Sequence, residues 1–361
     1  MNRSRLFPYV HRIVQSAFSR PLGSCLLVAA FTLSTTSAVA QFVGPTPLTF
    51  VNGWTDAPFA TSHAMVEVEN DFVHFRGAIS GGTSAIAFTL PSAFRPNANV
   101  YVPVDLCNSN NGRLFIQPTG DVSVQAEKAF SDAQCFTSLD GVSFPRTPTT
   151  YAGLTLINGW TNAPFATRFA GYRMIGFVVH LKGAIATTGT NTTPFIMPAG
   201  TRPATDAYIP VDLCHATTGR LHITPSGVVD VEAEGGTFSN AQCFTSLEGA
   251  SYLPALGPAQ TLTPLNGWTS APFSTSNPAA TNQYGLVYFK GAIATAGTNA
   301  QPFTLPLRFR PVTDVYVPVD LCNAAKGRLY IQPSGNVTVQ AETSFADAQC
   351  FTSLDGVSFV Q

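Results

Sequence analysis

The sequence predicts an all-β protein: three tandem antiparallel β-sandwich or jelly-roll-like domains, each with one internal disulfide. Three observations carry that reading. The first is self-similarity. Asn-Gly-Trp recurs at 52–54, 158–160 and 266–268, Pro-Val-Asp-Leu-Cys at 103–107, 210–214 and 318–322, and Ala-Gln-Cys-Phe-Thr-Ser-Leu at 133–139, 241–247 and 348–354. The offsets of 106 to 108 residues suit whole domains and exceed the period of a solenoid repeat or propeller blade. The second is composition. Only 11% of the 361 residues are charged and 45% are hydrophobic, with 29 Gly and 27 Pro; an ordinary globular protein is roughly 25% charged. A chain this apolar is not disordered, and a net charge of −1 offers no electrostatic footprint for nucleic acid. The third is local pattern: short alternating segments punctuated by turns, with no convincing helical period over 12 residues.

The element order follows from the first copy. Val73–Ile79 alternates in type, and Ala85–Leu90 is strand-like and stops at Pro91. Val100–Leu106 places Val100, Val102, Val104 and Leu106 on one face. Arg113–Gln117 and Val122–Ala126 follow, separated by the turn signal Pro118-Thr-Gly120. Pro103, Pro210 and Pro318 sit inside the third of these strands; proline donates no ladder hydrogen bond, so an edge or a bulge is expected there. Asn108–Gly112 reads as the hairpin loop. The domains are placed at 46–145, 152–253 and 261–360, joined by the short Pro-containing linkers Arg146–Tyr151 and Pro254–Ala259.

Residues 1–40 read as a secretory signal peptide. Arg3, Arg5, Arg12 and Arg20 come first without any acid, an apolar run spans Cys25–Leu33, and Ala38-Val-Ala40 fits a cleavage site before Gln41. That run is shorter than the about 20 residues a spanning helix needs. Leu22-Gly-Ser-Cys25 is lipobox-like, but its apolar stretch follows the cysteine instead of preceding it. Cleavage leaves 15 basic against 20 acidic residues, a net charge of −5, and six cysteines. A secreted, periplasmic or cell-surface location and disulfides follow. The repeated pairing is Cys107–Cys135, Cys214–Cys243 and Cys322–Cys350. No metal site is expected, because two cysteines per copy without partnered histidines cannot supply four tetrahedral ligands.

Several recurring side chains are candidates for chemistry. Asp105 with Arg113, Asp212 with Arg220 and Asp320 with Arg328 fall on the hairpin face opposite the valines. They form either a cross-strand ion pair within each copy or a polar recognition site for a sugar or carboxylate. Glu127, Glu234 and Glu342 follow the next strand and could join that face. Paired carboxylates can serve glycoside hydrolysis, but three equivalent tandem sites are unusual for a hydrolase. Trp54, Trp160 and Trp268 are the only tryptophans; each either caps a core with its indole N–H satisfied or stacks on a sugar. Histidine does not recur in all three copies, and the third has none; His215 and His222 flank one hairpin. No nucleophile elbow, zinc-protease or phosphate-loop motif is present, and no cofactor is expected. Asn191-Thr-Thr193 and Asn336-Val-Thr338 are glycosylation sequons.

The motif order resembles the β-sandwich head domains at the ends of bacteriophage tail fibres and receptor-binding proteins. The residues that carry it are Gly53-Trp54, Val73 to Gly77, Leu90-Pro91 to Arg95-Pro96, the Gly112–Gly120 hairpin and Ser138-Leu-Asp-Gly141. Such heads are usually homotrimers, so the resemblance implies a monomer whose three copies form an intramolecular pseudo-trimer. The signal peptide, the disulfide and the tandem copies depart from the pattern and favour an exported cellular protein. The functional expectation is a non-enzymatic adhesion or binding protein that recognises a glycan or surface polymer through repeated weak sites. The alternative is a structural or assembly component of a cell surface or matrix, and a secreted hydrolase comes third.

Overall fold

A computed structural model describes residues 43–146, 150–254 and 257–361. The expected signal peptide lies outside the described residues. The first copy contains β1 (Val43–Pro47), β2 (Thr55–Asp56), β3 (Met65–Glu69), β4 (Phe72–Arg76), β5 (Ala78–Ser80), β6 (Ile86–Thr89), β7 (Val100–Asp105), β8 (Asn111–Ile116), β9 (Asp121–Ala126), α1 (Phe130–Cys135), β10 (Thr137–Ser138) and β11 (Ser143–Pro145). The strands form three antiparallel sheets, β1-β3-β4-β11, β2-β5-β10 and β6-β9-β8-β7. The other two copies repeat this plan, except that the third copy's last sheet has three strands. The chain is therefore all-β, with a disulfide in each copy between the expected cysteines.

Alternation makes the core. In β7, Val100, Val102 and Val104 are buried and face Ile116, Leu114 and Gly112 of β8. Val122 and Val124 of β9 extend the same apolar layer. Full burial of one such side chain stabilises by roughly 1.5–3 kcal/mol. Each copy has its own main apolar cluster. β7 and its counterparts Ala207–Asp212 and Val315–Asp320 are all edge strands, which is where a strand containing Pro103, Pro210 or Pro318 is tolerated.

Two local features differ from the alternation pattern. Gly77 divides the Val73–Ile79 segment into β4 and β5: its φ is +87°, and a Cβ there would lie 2.5 Å from the Ser62 carbonyl oxygen. Any side chain at that bend would be both strained and obstructed. The cysteine-bearing segments Phe130–Cys135, Phe238–Cys243 and Phe345–Cys350 are six-residue helices. A helix of that length shows too few turns for a 3.6-residue period to be read from sequence.

The copies contact one another in a cycle. The Ser246 hydroxyl of the second copy donates to the Tyr101 carbonyl of the first at 2.6 Å. Ser353 of the third donates to Tyr208 of the second, and Ser138 of the first to Tyr316 of the third, each at 2.6 Å. Backbone contacts follow the same order. The amides of Asn99, Asp206 and Asp314 donate to the carbonyls of Ala166, Ser274 and Ala60 of the neighbouring copy at 3.1 to 3.2 Å. First joins second, second joins third and third joins first, so the three sandwiches close a ring. Residues of all three copies, Pro103, Pro210 and Pro318 among them, line one small central space.

Candidate binding clefts at the repeat junctions

The hairpin charges do not pair within their own copy. Arg113 meets Asp212 of the second copy at 3.0 Å, Arg220 meets Asp320 of the third at 3.1 Å, and Arg328 meets Asp105 of the first at 2.8 Å. This corrects the expected intra-hairpin pair. Asp105 lies diagonally across from Arg113 in the β7–β8 register, but β7 is an edge strand and its polar face packs against the next copy. The three aspartates are buried and cannot act as open ligand groups. Each arginine also holds the polar side chain directly opposite it on the adjacent strand: Arg113 donates to Gln125, Arg220 to Glu232 and Arg328 to Gln340.

The junctions differ at one position. Lys326 of the third copy is buried and bonds to Asp105 and to the carbonyls of Ser109 and Asn110. The equivalent residues are Asn111 and Thr218, and there Oδ1 of Asp212 and of Asp320 is buried without a hydrogen-bond partner.

The tryptophans are also corrected as binding candidates. Trp54, Trp160 and Trp268 are 4 to 5% exposed, and their indole N–H groups donate to the carbonyls of Ser84, Asn191 and Asn299 at 2.8 to 2.9 Å. Each meets a helix phenylalanine edge to face at 6.2 to 6.3 Å. A fully sheltered indole offers no face to a sugar, so these rings cap the cores.

A different aromatic set is exposed. Phe59, Phe165 and Phe273 are 59 to 61% exposed and sit at φ of 53° to 55°, a region costly for a bulky residue. The backbone reason is the docking turn: the next residue, Ala60, Ala166 or Ser274, aims its carbonyl at the neighbouring copy. The ring itself stands at the lip of a cleft between copies. At the first junction the cleft of about 180 Å³ is lined by Phe165, Phe244, Tyr101, Arg113, His215 and the Cys214–Cys243 disulfide. At the third, about 140 Å³ is lined by Phe59, Phe136, Tyr316, Arg328, Cys107 and Asn108. These volumes suit a single ring. The second junction places Phe273, Phe351, Tyr208 and Arg220 in the same relation. There a wider groove of about 560 Å³ also runs past Arg220, Glu232, Gly235, Gly236 and Phe238. The second copy has one extra residue before its helix, the Glu-Gly-Gly-Thr turn at 234–237. A Cβ added to Gly235 or Gly236 would meet nothing within 4 Å.

The cleft walls are stiff. Tyr101 stacks on Phe115, Tyr208 on His222 and Tyr316 on Tyr330 at 4.4 to 4.6 Å. An arginine lies over each of these tyrosines at 4.7 to 4.9 Å. Burial pushes the Tyr101, Tyr208 and Tyr316 phenols above their ordinary range, so they stay neutral. His222 is raised mainly by hydrogen bonding to Glu232. Each cleft thus offers an open phenylalanine face, a tyrosine–arginine wall and no free carboxylate among the residues that line the two smaller ones. Such a set can stack a flat or weakly polar ring and lend one cationic edge.

The sequence signal for these clefts is the recurring Ala-Pro-Phe-(Ala/Ser)-Thr at 57–61, 163–167 and 271–275, an uncharged motif separate from the Asp, Arg and Trp candidates. His215 lines the first cleft while His222 stacks in the second, so the two do not form one site. Asn191 is exposed, whereas Asn336 is part-buried and accepts hydrogen bonds through its side chain. Among the described residues no helix is long and apolar enough to cross a membrane. Comparison of the chain with family models, with curated proteins and with solved structures gives no match.

Proposed function

We propose that the chain is an exported, non-enzymatic binding protein that holds a glycan or surface polymer through three related weak sites, the clefts at its repeat junctions. The observation that carries this reading is the threefold recurrence of an exposed, backbone-strained phenylalanine beside a tyrosine–arginine wall. The docking turn accounts for the backbone position, and each ring meets a second phenylalanine only edge to face, which leaves most of it in water in every copy; strain of this kind clusters at ligand sites. Aromatic faces are suited to stacking on sugar rings, and the clefts at the first and third junctions are each about the size of one ring. Three weak sites in one particle gain avidity of 10²–10⁴ when the ligand is polymeric and the geometry permits. Repetition therefore benefits a binder in a way it does not benefit a hydrolase. Export fits the three disulfides, which belong to an oxidising compartment. The likeness of each copy to tail-fibre head domains points the same way.

The test is retention on a glycan array, wild type beside a Phe59→Ala/Phe165→Ala/Phe273→Ala triple variant. Saturable retention that the triple variant loses supports the reading. Retention unchanged in the triple variant, or no retention together with concentration-dependent oligomers, would favour a structural assembly role instead.

A further inference from the structure

Glu127, Glu234 and Glu342, one from each copy, converge inside the ring. One carboxylate oxygen of each lies within 4.8 Å of the other two. None is fully exposed. The Glu342 side chain is 3% exposed, and its Oε2, like Oε2 of Glu127, is closed to solvent and accepts no hydrogen bond. A buried carboxylate oxygen with no donor is costly, and it gains if an ion enters. Like charges this close resist ionising together. Burial and the other two glutamates push Glu234 up to about 7.

The surrounding charges define what is missing. Asp105, Asp212 and Asp320 are matched by Arg328, Arg113 and Arg220. Lys326 is bound to Asp105 and acts on Glu127 and Glu342 at longer range. The remaining neighbour is Lys128, whose Nζ lies 2.7 Å from Glu342 Oε1. That lysine is 56% exposed and can swing into solvent, and the equivalent residues in the other copies are Gly235 and Thr343. With a cation in place, all three glutamates ionised and Lys128 turned away, the carboxylates and Lys326 leave two negative charges.

We propose that Glu127, Glu234 and Glu342 form a calcium-type divalent cation site that ties the three copies together, with the Lys128 ammonium as its built-in competitor. The donors are all hard oxygens, which excludes a zinc-type soft site. Two ligands of one calcium ion, at about 2.3–2.6 Å each, can stand up to about 5 Å apart, whereas magnesium at about 2.0–2.1 Å reaches only about 4 Å. The separations, all within 4.8 Å, fall inside the span of two calcium ligands, and a small inward shift of the half-buried glutamates seats all three on one ion.

The experiment is calorimetric titration of calcium chloride into the chelator-treated full chain, with melting followed in parallel. The expected result is saturable binding of one ion per chain and a higher melting temperature with calcium than with equal magnesium. Lys128→Gln should bind calcium at least about tenfold more tightly, equivalent to about 1.4 kcal/mol, and Glu342→Gln should bind at least about tenfold more weakly. Circular dichroism checks the fold of Glu342→Gln, and Lys128→Gln keeps the test decisive if that variant does not fold. Absence of saturable calcium heat in both wild type and Lys128→Gln at millimolar calcium overturns the proposal. So does a folded Glu342→Gln that binds like wild type.

Discussion

Arg113 of the first copy takes its counter-ion, Asp212, from the second copy at 3.0 Å, while Asp105 of its own hairpin serves Arg328 of the third. The charges that look local in sequence are the joints of the ring. Removing one partner of such a sheltered pair costs more than the pair is worth, because the survivor is left without compensation. Asp212→Ala should destabilise the protein by about 3–5 kcal/mol, read from urea or thermal unfolding. Replacing both Arg113 and Asp212 by leucine should cost less than Asp212→Ala alone. A double variant weaker than the single one would contradict the assignment.

Phe59, Phe165 and Phe273 contribute little to folding because their rings are mostly in water. Each single substitution to alanine should change stability by less than about 1 kcal/mol. Avidity makes binding behave differently: loss of one cleft should weaken retention on a multivalent glycan surface several-fold, and loss of all three should abolish it. Retention that falls in proportion to lost stability would instead mark these residues as structural.

His74 and His180 lie at another place where all three copies meet, with Tyr288 as the third copy's equivalent. His180 packs on Phe72 at 4.4 Å and on Tyr288 at 6.1 Å. Burial pushes His74 down from 6.5 to about 4 and His180 to about 3, the latter helped by His74 and Arg173. The folded pKa lies below the unfolded one, so the unfolded chain binds more protons between those values. The resulting stability is present above pH 6.5 and is lost as pH falls toward 4, by roughly 3 kcal/mol for His74. Asp140 and Asp355, pushed up to about 7 by burial, act in the opposite sense across the same window. The check is therefore a difference: His180→Tyr, which copies the third repeat, should lose less stability than wild type between pH 7 and pH 4. Parallel pH curves would refute the assignment.

Each disulfide closes a loop of 28 or 29 residues, for which the chain-entropy model gives about 3–4 kcal/mol. Cys107→Ala/Cys135→Ala should lower the unfolding free energy by about that amount. A loss far below it would mean that the reduced, unfolded chain retains structure that already limits its freedom.

Much of the fold is legible in sequence because it is repeated and local. Val100, Val102 and Val104 announce a half-buried strand, Pro103 places it at an edge, and three copies of one cysteine spacing identify the pairing. The site is less legible because it arises between copies. Nothing near Arg113 in the chain points to Asp212, about one repeat away, and the convergence of Glu127, Glu234 and Glu342 exists only once the ring closes. The tryptophans take the commoner of their two readings, the core cap. A carbonyl such as that of Ser84 satisfies the indole of Trp54 and lets it go inside. Phe59 is the reverse case, an apolar side chain held outside by the αL docking turn between Ala57 and Thr61.

Closure of the ring is best tested by small-angle X-ray scattering on a sample whose monomeric mass is confirmed by light scattering. A compact particle of about 320 residues has a radius of gyration near 20 Å. Three sandwiches strung in a line, each about 13 Å in radius of gyration, would give about 30 Å. The ring predicts a monomer near the first value, with wild-type curves superimposing across concentration. An extended monomer near the second value would contradict it.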